Sequence, residues 1–207
     1  SSTLITCTLS SNTAEGGGGA FGGMLNNCMI TNNSASSGGG TWGGTLNNCL
    51  LAGNSAQNEG GAVYYGTLYS CTLIGNSAGI GGGGVYQSVL YNCIAIENYL
   101  TNGILNNWSG WSGSTFHVSC TWPMPTQGTG NITNVPILVD QGSGYGANFK
   151  MGNFRLLPTS PCLDAGDNSY AQWAEDLDGN PRIAFGAVDM GAYEAQLTGV
   201  GTWFGAI

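Results

Sequence analysis

The residues with the most chemical potential in this chain are seven cysteines, one histidine and a run of carboxylates. Five cysteines recur at Cys7, Cys28, Cys49, Cys71 and Cys93, with gaps of 21, 21, 22 and 22 residues. Thiols can bind metal, form disulfides or act as nucleophiles. No Cys-x-x-Cys and no histidine cluster accompanies them, which argues against a metal site. Cysteines stacked in register give poor disulfide geometry, so the favoured reading is a row of buried thiols acting as small hydrophobes. An odd number rules out complete intramolecular pairing. Cys120 and Cys162 lie outside the register and are the better disulfide candidates. His117, the single histidine, has no evident nucleophile partner in sequence. The catalytic set is therefore empty, and the chain reads as a non-enzyme.

Seven of the eleven acids fall between Asp164 and Glu194. There Asp176-x-Asp178-Gly179-Asn180 places oxygen ligands at alternate positions around a glycine bend, as a hard cation requires. Asp176, Asp178, Asn180 and Asp189 are thus candidate calcium ligands, with Asp164 and Asp167 nearby. The competing reading is an ordinary Asp-Gly turn, with Arg182 paired to one of the carboxylates. Glycoside hydrolysis needs two close carboxylates, but Glu15 and Glu59 stand two repeats apart.

The elements that must position these groups are repeats. Each ladder cysteine has a leucine three residues before it (Leu4, Leu25, Leu46, Leu68, Leu90) and an asparagine five after it (Asn12, Asn33, Asn54, Asn76, Asn98). Such a period means a solenoid or an array. Short alternating segments such as Cys28-x-Ile30 read as strands, and Asn pairs and glycine runs read as turns. The prediction is an all-β parallel β-helix of about five regular 21–22-residue coils over residues 1–98. Irregular coils follow over 99–160, then a cap-like module over 161–194 and an apolar tail over 195–207. The Leu, Cys and Leu/Ile ladders are expected to fill the interior, with Leu73 or Ile74 and Ala95 or Ile96 open as alternatives. The asparagine ladder is expected at a bend, each amide bonding the next. Phe21, Trp42, Tyr64, Tyr86 and Trp108 form a further ladder, read as outward-facing because Ala20, Thr41, Val63 and Val85 precede its first four members. It is either a sugar-binding or assembly stripe, or rings stacked to stabilise a glycine-rich face.

Composition excludes several partners. Only 7% of residues are charged, with three basic residues and a net charge of −8, so nucleic acid and anionic lipid are excluded as partners. No apolar run reaches the length of a membrane span. Little charge and a surface rich in Asn, Ser, Thr and Gly suggest an extracellular or cell-surface protein. The chain starts at Ser1 rather than Met, which reads as a processed or truncated start. Asn32, Asn107 and Asn131 head Asn-x-Ser/Thr sequons and are candidate glycosylation sites.

Glu59-Gly60-Gly61-Ala62-Val63-Tyr64 and Asn76-Ser77-Ala78 resemble the signatures of right-handed parallel β-helix proteins related to the polymorphic outer-membrane repeat. Ser160-Pro161-Cys162-Leu163-Asp164-Ala165-Gly166 resembles the end of such helices. Asp176-Leu177-Asp178-Gly179-Asn180-Pro181-Arg182-Ile183 followed by Val188-Asp189-Met190-Gly191-Ala192-Tyr193-Glu194 resembles the choice-of-anchor Q module. The resemblance implies a secreted or surface-displayed β-helix with no established activity.

Two functions follow as expectations. The first is a structural β-helix that self-associates head-to-tail, as a filament subunit would. An uncapped first coil at Leu4 offers unpaired strand edges, which predicts either a missing upstream segment or a partner subunit; for the latter, the tail residues Leu197, Val200, Trp203, Phe204 and Ile207 are the candidates for an added strand or plug in a neighbour. The second is a carbohydrate-binding adhesion module that uses the aromatic ladder.

Overall fold

A computed structural model describes residues 2–111, 113–198 and 202–203. The repeat folds as a parallel β-solenoid of about five turns. Each turn contributes one short strand to each of up to four parallel sheets. Sheet A stacks Thr3–Ile5, Met24–Asn26, Thr45–Asn47, Thr67–Tyr69, Val89–Tyr91 and Thr115–His117. Sheet B stacks Thr8–Ser10, Met29–Thr31, Leu50–Ala52, Thr72–Ile74, Ile94–Ile96 and Cys120–Thr121. Sheet C runs from Thr13–Gly16 to Tyr99–Leu100, and sheet D from Ala20–Phe21 to Val85–Tyr86. At about 4.8 Å per coil, five coils rise roughly 24 Å.

The strands are short because every corner needs a left-handed residue. Between sheets A and B this is Thr6, Asn27, Asn48, Ser70, Asn92 and Val118, all with φ between 48° and 53°. Between B and C it is Ser11, Asn32, Gly53, Gly75 and Glu97. Asn and Gly tolerate that conformation best, which is why they punctuate the repeat. Gly75 is doubly constrained, since the Phe149 ring also sits where its Cβ would be.

Register decides what lies inside. Leu25, Leu46, Leu68 and Leu90 stack in sheet A, and Phe116 continues them into a sixth coil. Ile30, Leu51, Leu73 and Ala95 stack inward in sheet B. The alternatives Ile74 and Ile96 face outward instead, into a second core. Each fully buried leucine or isoleucine contributes about 1.5–3 kcal/mol, so the inner ladders supply most of the driving force.

The second core lies on the outer face of sheet B. A hairpin of Leu138–Asp140 and Asn153–Leu156 packs there. The chain then runs back down the helix over the same face. Asp167 and Gly191 bond Asn92, Ala192 N–H donates to Thr72, and Asn48 and Asn27 donate to the carbonyls of Glu175 and Asp176. The predicted cap-like module is therefore a lateral cover rather than an end plug, and the preceding hairpin shares the face it covers. The cover buries Leu50, Ile74, Ile94, Phe154, Leu156, Cys162 and Met190. It reaches coil two but leaves Thr8 of coil one exposed.

Candidate functional site

The cysteine ladder is interior and its thiols are free. Cys49 and Cys71 N–H groups donate to the Sγ of the next coil's cysteine at 3.4 Å, and each thiol bonds a carbonyl two residues earlier. Burial pushes the Cys49, Cys71 and Cys93 thiols well up, which keeps them protonated and unreactive. Cys28, hydrogen-bonded by the Cys49 thiol, is lowered to about 7 but has no exposed surface.

The asparagines form a continuous amide ladder just past the B–C corner. Asn33 N–H and Nδ2 both donate to Asn54 Oδ1 at 3.0 Å, and Asn54 does the same to Asn76 at 2.9 Å. Asn98 ends the series on Asn107 Oδ1, and Asn107 Nδ2 donates to the Trp122 carbonyl. Asn107 is thus a structural terminus with both amide atoms engaged and 1% exposure. Asn131 is engaged likewise, by Ser119 N–H and the Phe116 carbonyl. Of the three sequon asparagines, Asn32 is the one fully exposed at a corner.

Phe21, Trp42, Tyr64 and Tyr86 stack along sheet D with centroid separations of 5.7, 4.6 and 5.3 Å. Trp108 does not extend this ladder. It pairs with Val85, the inward position, and packs over Phe116 with Nε1 bonded to the Pro123 carbonyl. The loop between Leu100 and Thr115 breaks the 22-residue spacing, so the large ring drops inward and fills the end of the core. Phe21 on Trp42 and Tyr64 on Tyr86 stack face to face, whereas Trp42 meets Tyr64 edge-on at 72°. Sugar stacking needs open faces; Phe21 is 72% exposed, and Trp42, Tyr64 and Tyr86 are half-buried. Tyr64→Ala is expected to cost about 2 kcal/mol of stability, because it removes three ring pairs, with Trp42, Tyr65 and Tyr86, and their burial. Urea denaturation reads this directly; an unchanged midpoint would show that the stack contributes nothing.

A second stack went unpredicted. Tyr69, Tyr91 and His117 follow one another at 5.0 Å on sheet A, and Tyr170 of the cover packs on Tyr91 at 4.5 Å. The 22-residue gap between the two tyrosines was a readable signal. The position of His117 was not, because the loop before it lengthens the coil.

The candidate calcium ligands do not converge, and no group of three or more metal-ligating side chains occurs among the described residues. Asp176 Oδ1 accepts from Asp178 and Asn180 N–H, and its Oδ2 from Glu194 N–H. Asp189 accepts from Asp164 and Ala195 N–H, both at 2.7 Å. Asp178 turns away to form a two-pronged pair with Arg155, which also lies over the Tyr193 ring. The centre of the module is instead Arg182, 1% exposed, with Nη2 bonded to the Asp189 carbonyl and 3.8 Å from Glu194. Glu194 receives the N–H groups of Ala184 and Asp189. Sequence reading singled out Arg182 as a carboxylate partner but missed Glu194, whose only signal was its place five residues after Asp189.

Leu4 is half-buried against the core. Leu197–Thr198 pairs antiparallel with Thr202–Trp203. Val200, Phe204 and Ile207 lie outside the described residues.

Fold and ladders together define an all-β parallel solenoid with one laterally covered sheet. No family model matches the chain, and neither does any curated protein. No helix is long and apolar enough to cross a membrane.

Proposed function

We propose that this chain is an extracellular structural solenoid, without catalysis, that self-associates by strand addition at its first coil. The carrying observation is the contrast between the first coil and those above it. Leu4, Cys7 and Leu9 are only partly buried, whereas their ladder equivalents in coils two to five are 0–1% exposed. Strands Thr3–Ile5, Thr8–Ser10 and Thr13–Gly16 are edge strands of their sheets, and such edges pair with a further coil, whether of a preceding segment of the chain or of a second copy. The far end is closed differently, by Trp108, Phe116 and the segment 127–132 bonded along coil six. A second copy added at that edge, with residues 195–207 as its contributing segment, repeats without closure and builds a filament. The Ser160–Gly166 and Asp176–Glu194 motifs support the cover as a choice-of-anchor Q-like module of a surface β-helix. Glycan binding is the weaker reading, since Trp42, Tyr64 and Tyr86 are half-buried. The reading does not call on calcium: backbone N–H groups bond the Asp176 and Asp189 carboxylates and Arg155 engages Asp178.

Sedimentation of the purified chain should show species larger than a monomer. Leu9→Lys, or truncation after Glu194, should return the monomer with the circular-dichroism spectrum unchanged. A full chain that stays monomeric at high concentration while its first-coil amides resist hydrogen exchange would sink the proposal.

A further inference from the structure

The fold brings together two cysteines that stand outside the thiol ladder. In coil six the ladder position is held by Ser119, whose Oγ accepts the Cys93 N–H at 3.0 Å. Cys120 is the next residue along and pairs with Ile94, so its side chain points out of the solenoid onto the face that the cover buries. Cys162 lies in the cover, 42 residues later in sequence. It is held against this same face: its carbonyl accepts the Met190 N–H at 3.0 Å, and Gly191 bonds Asn92 and lies against the Ile94 side chain. Both residues are buried, at 1% and 0% exposure, in one apolar cluster with Ile94 and Met190. Both are free thiols, the Cys120 thiol donates to the Asn134 carbonyl at 3.2 Å, and the neighbouring Cys120 thiol first, with burial second, pushes the Cys162 thiol upward. The ladder cysteines differ, since each faces a chemically equivalent neighbour one coil away within the solenoid interior.

We propose that Cys120 and Cys162 are a modification site, oxidised to a disulfide that staples the cover to coil six. The oxidant is a small-molecule disulfide such as oxidised glutathione, acting during folding before both sulfurs are buried. One cysteine thiolate attacks it and releases one small thiolate. The second cysteine thiolate attacks the mixed disulfide and releases the other. Two cysteine protons leave, the cysteine pair is oxidised, and the small disulfide is reduced to two thiols. The cross-link joins the last full coil to the segment that must find sheet B after the irregular loops. It therefore shortens the search for the cover's docked position and limits its detachment.

The full chain, refolded with oxidised glutathione, denatured without reductant and alkylated with iodoacetamide, tests this. Five of the seven cysteines should be alkylated. Chymotryptic digestion should yield one linked peptide pair carrying Cys120 and Cys162. After reduction all seven should alkylate. Cys120→Ser should yield six alkylated thiols, and its thermal midpoint should match that of the reduced wild type rather than the oxidised one. Seven alkylated cysteines before reduction, or a linked pair containing any ladder cysteine, would overturn the proposal.

Discussion

Asn54→Ala is expected to lower the unfolding free energy by about 4 kcal/mol, because several buried groups lose partners at 1–3 kcal/mol each. The residue has no exposed surface. Its Oδ1 accepts both the N–H and the Nδ2 of Asn33, and its Nδ2 donates to the Ile30 carbonyl at 2.8 Å and to Asn76 Oδ1. Alanine removes all four bonds and leaves buried donors and acceptors without those partners. Asn12→Ala is the internal control. Asn12 donates to Asn33 Oδ1 but sits exposed at the start of the ladder, so its loss should cost about 1 kcal/mol. Urea denaturation of the two variants reads the difference. Equal costs would mean that the amides act singly rather than as a ladder.

Arg182→Met is expected to cost about 3–5 kcal/mol near pH 8, the usual cost of removing one member of a buried charge pair. The guanidinium faces Glu194, Asp189 and Asp176, all at least 95% buried. Burial first, and Asp189 second, push the Glu194 carboxyl up from 4.5 to about 7. The folded state thus holds that proton more tightly than the unfolded chain. The resulting stabilisation is complete below about pH 4.5 and is lost as the pH rises through about 7. Burial also raises Asp176 and Asp189, which act in the same direction. The wild-type urea midpoint should therefore fall between pH 5 and pH 8. The cost of Arg182→Met should shrink toward pH 5, where Glu194 is protonated and needs no counter-charge. A wild-type midpoint that rises over this range would contradict the placement of the cluster.

Much of the solenoid was legible because its residues repeat. A buried ladder forces the same residue type at the same corner of each coil, and the period shows it without any knowledge of contacts. The irregular coils lacked this redundancy. Trp108 keeps the 22-residue spacing from Tyr86, yet it occupies the inward slot beside Val85. Spacing alone cannot reveal a one-residue slip, and such a slip moves a side chain to the other face. The same limit left Leu73 and Ile74 undecided until the pairing of Leu51 with Leu73 placed one in each core.

The carboxylates show a different limit. Asp176-x-Asp178-Gly179-Asn180 has the alternation of a cation loop, but its oxygens were assigned without knowing which backbone N–H groups would reach them. In the folded module Asp176 takes the N–H groups of Asp178 and Asn180 within the motif and that of Glu194 from outside it, and Asp189 takes those of Asp164 and Ala195. Arg155, 23 residues before Asp178, removes that carboxylate from any shared site.

The cysteine, leucine and asparagine ladders were determined by sequence alone. Stacking identical coils imposes a strict local period, and every member obeys it. Tertiary structure alone decided that the acidic module lies along the outer face of sheet B, that Trp108 closes one end of the core, and that Cys120 and Cys162 share one buried cluster. These depend on contacts between segments tens of residues apart, held by burial and by single hydrogen bonds that carry no period. The first coil joins both kinds of information: its sequence matches the coils above, and the fold leaves its edge exposed.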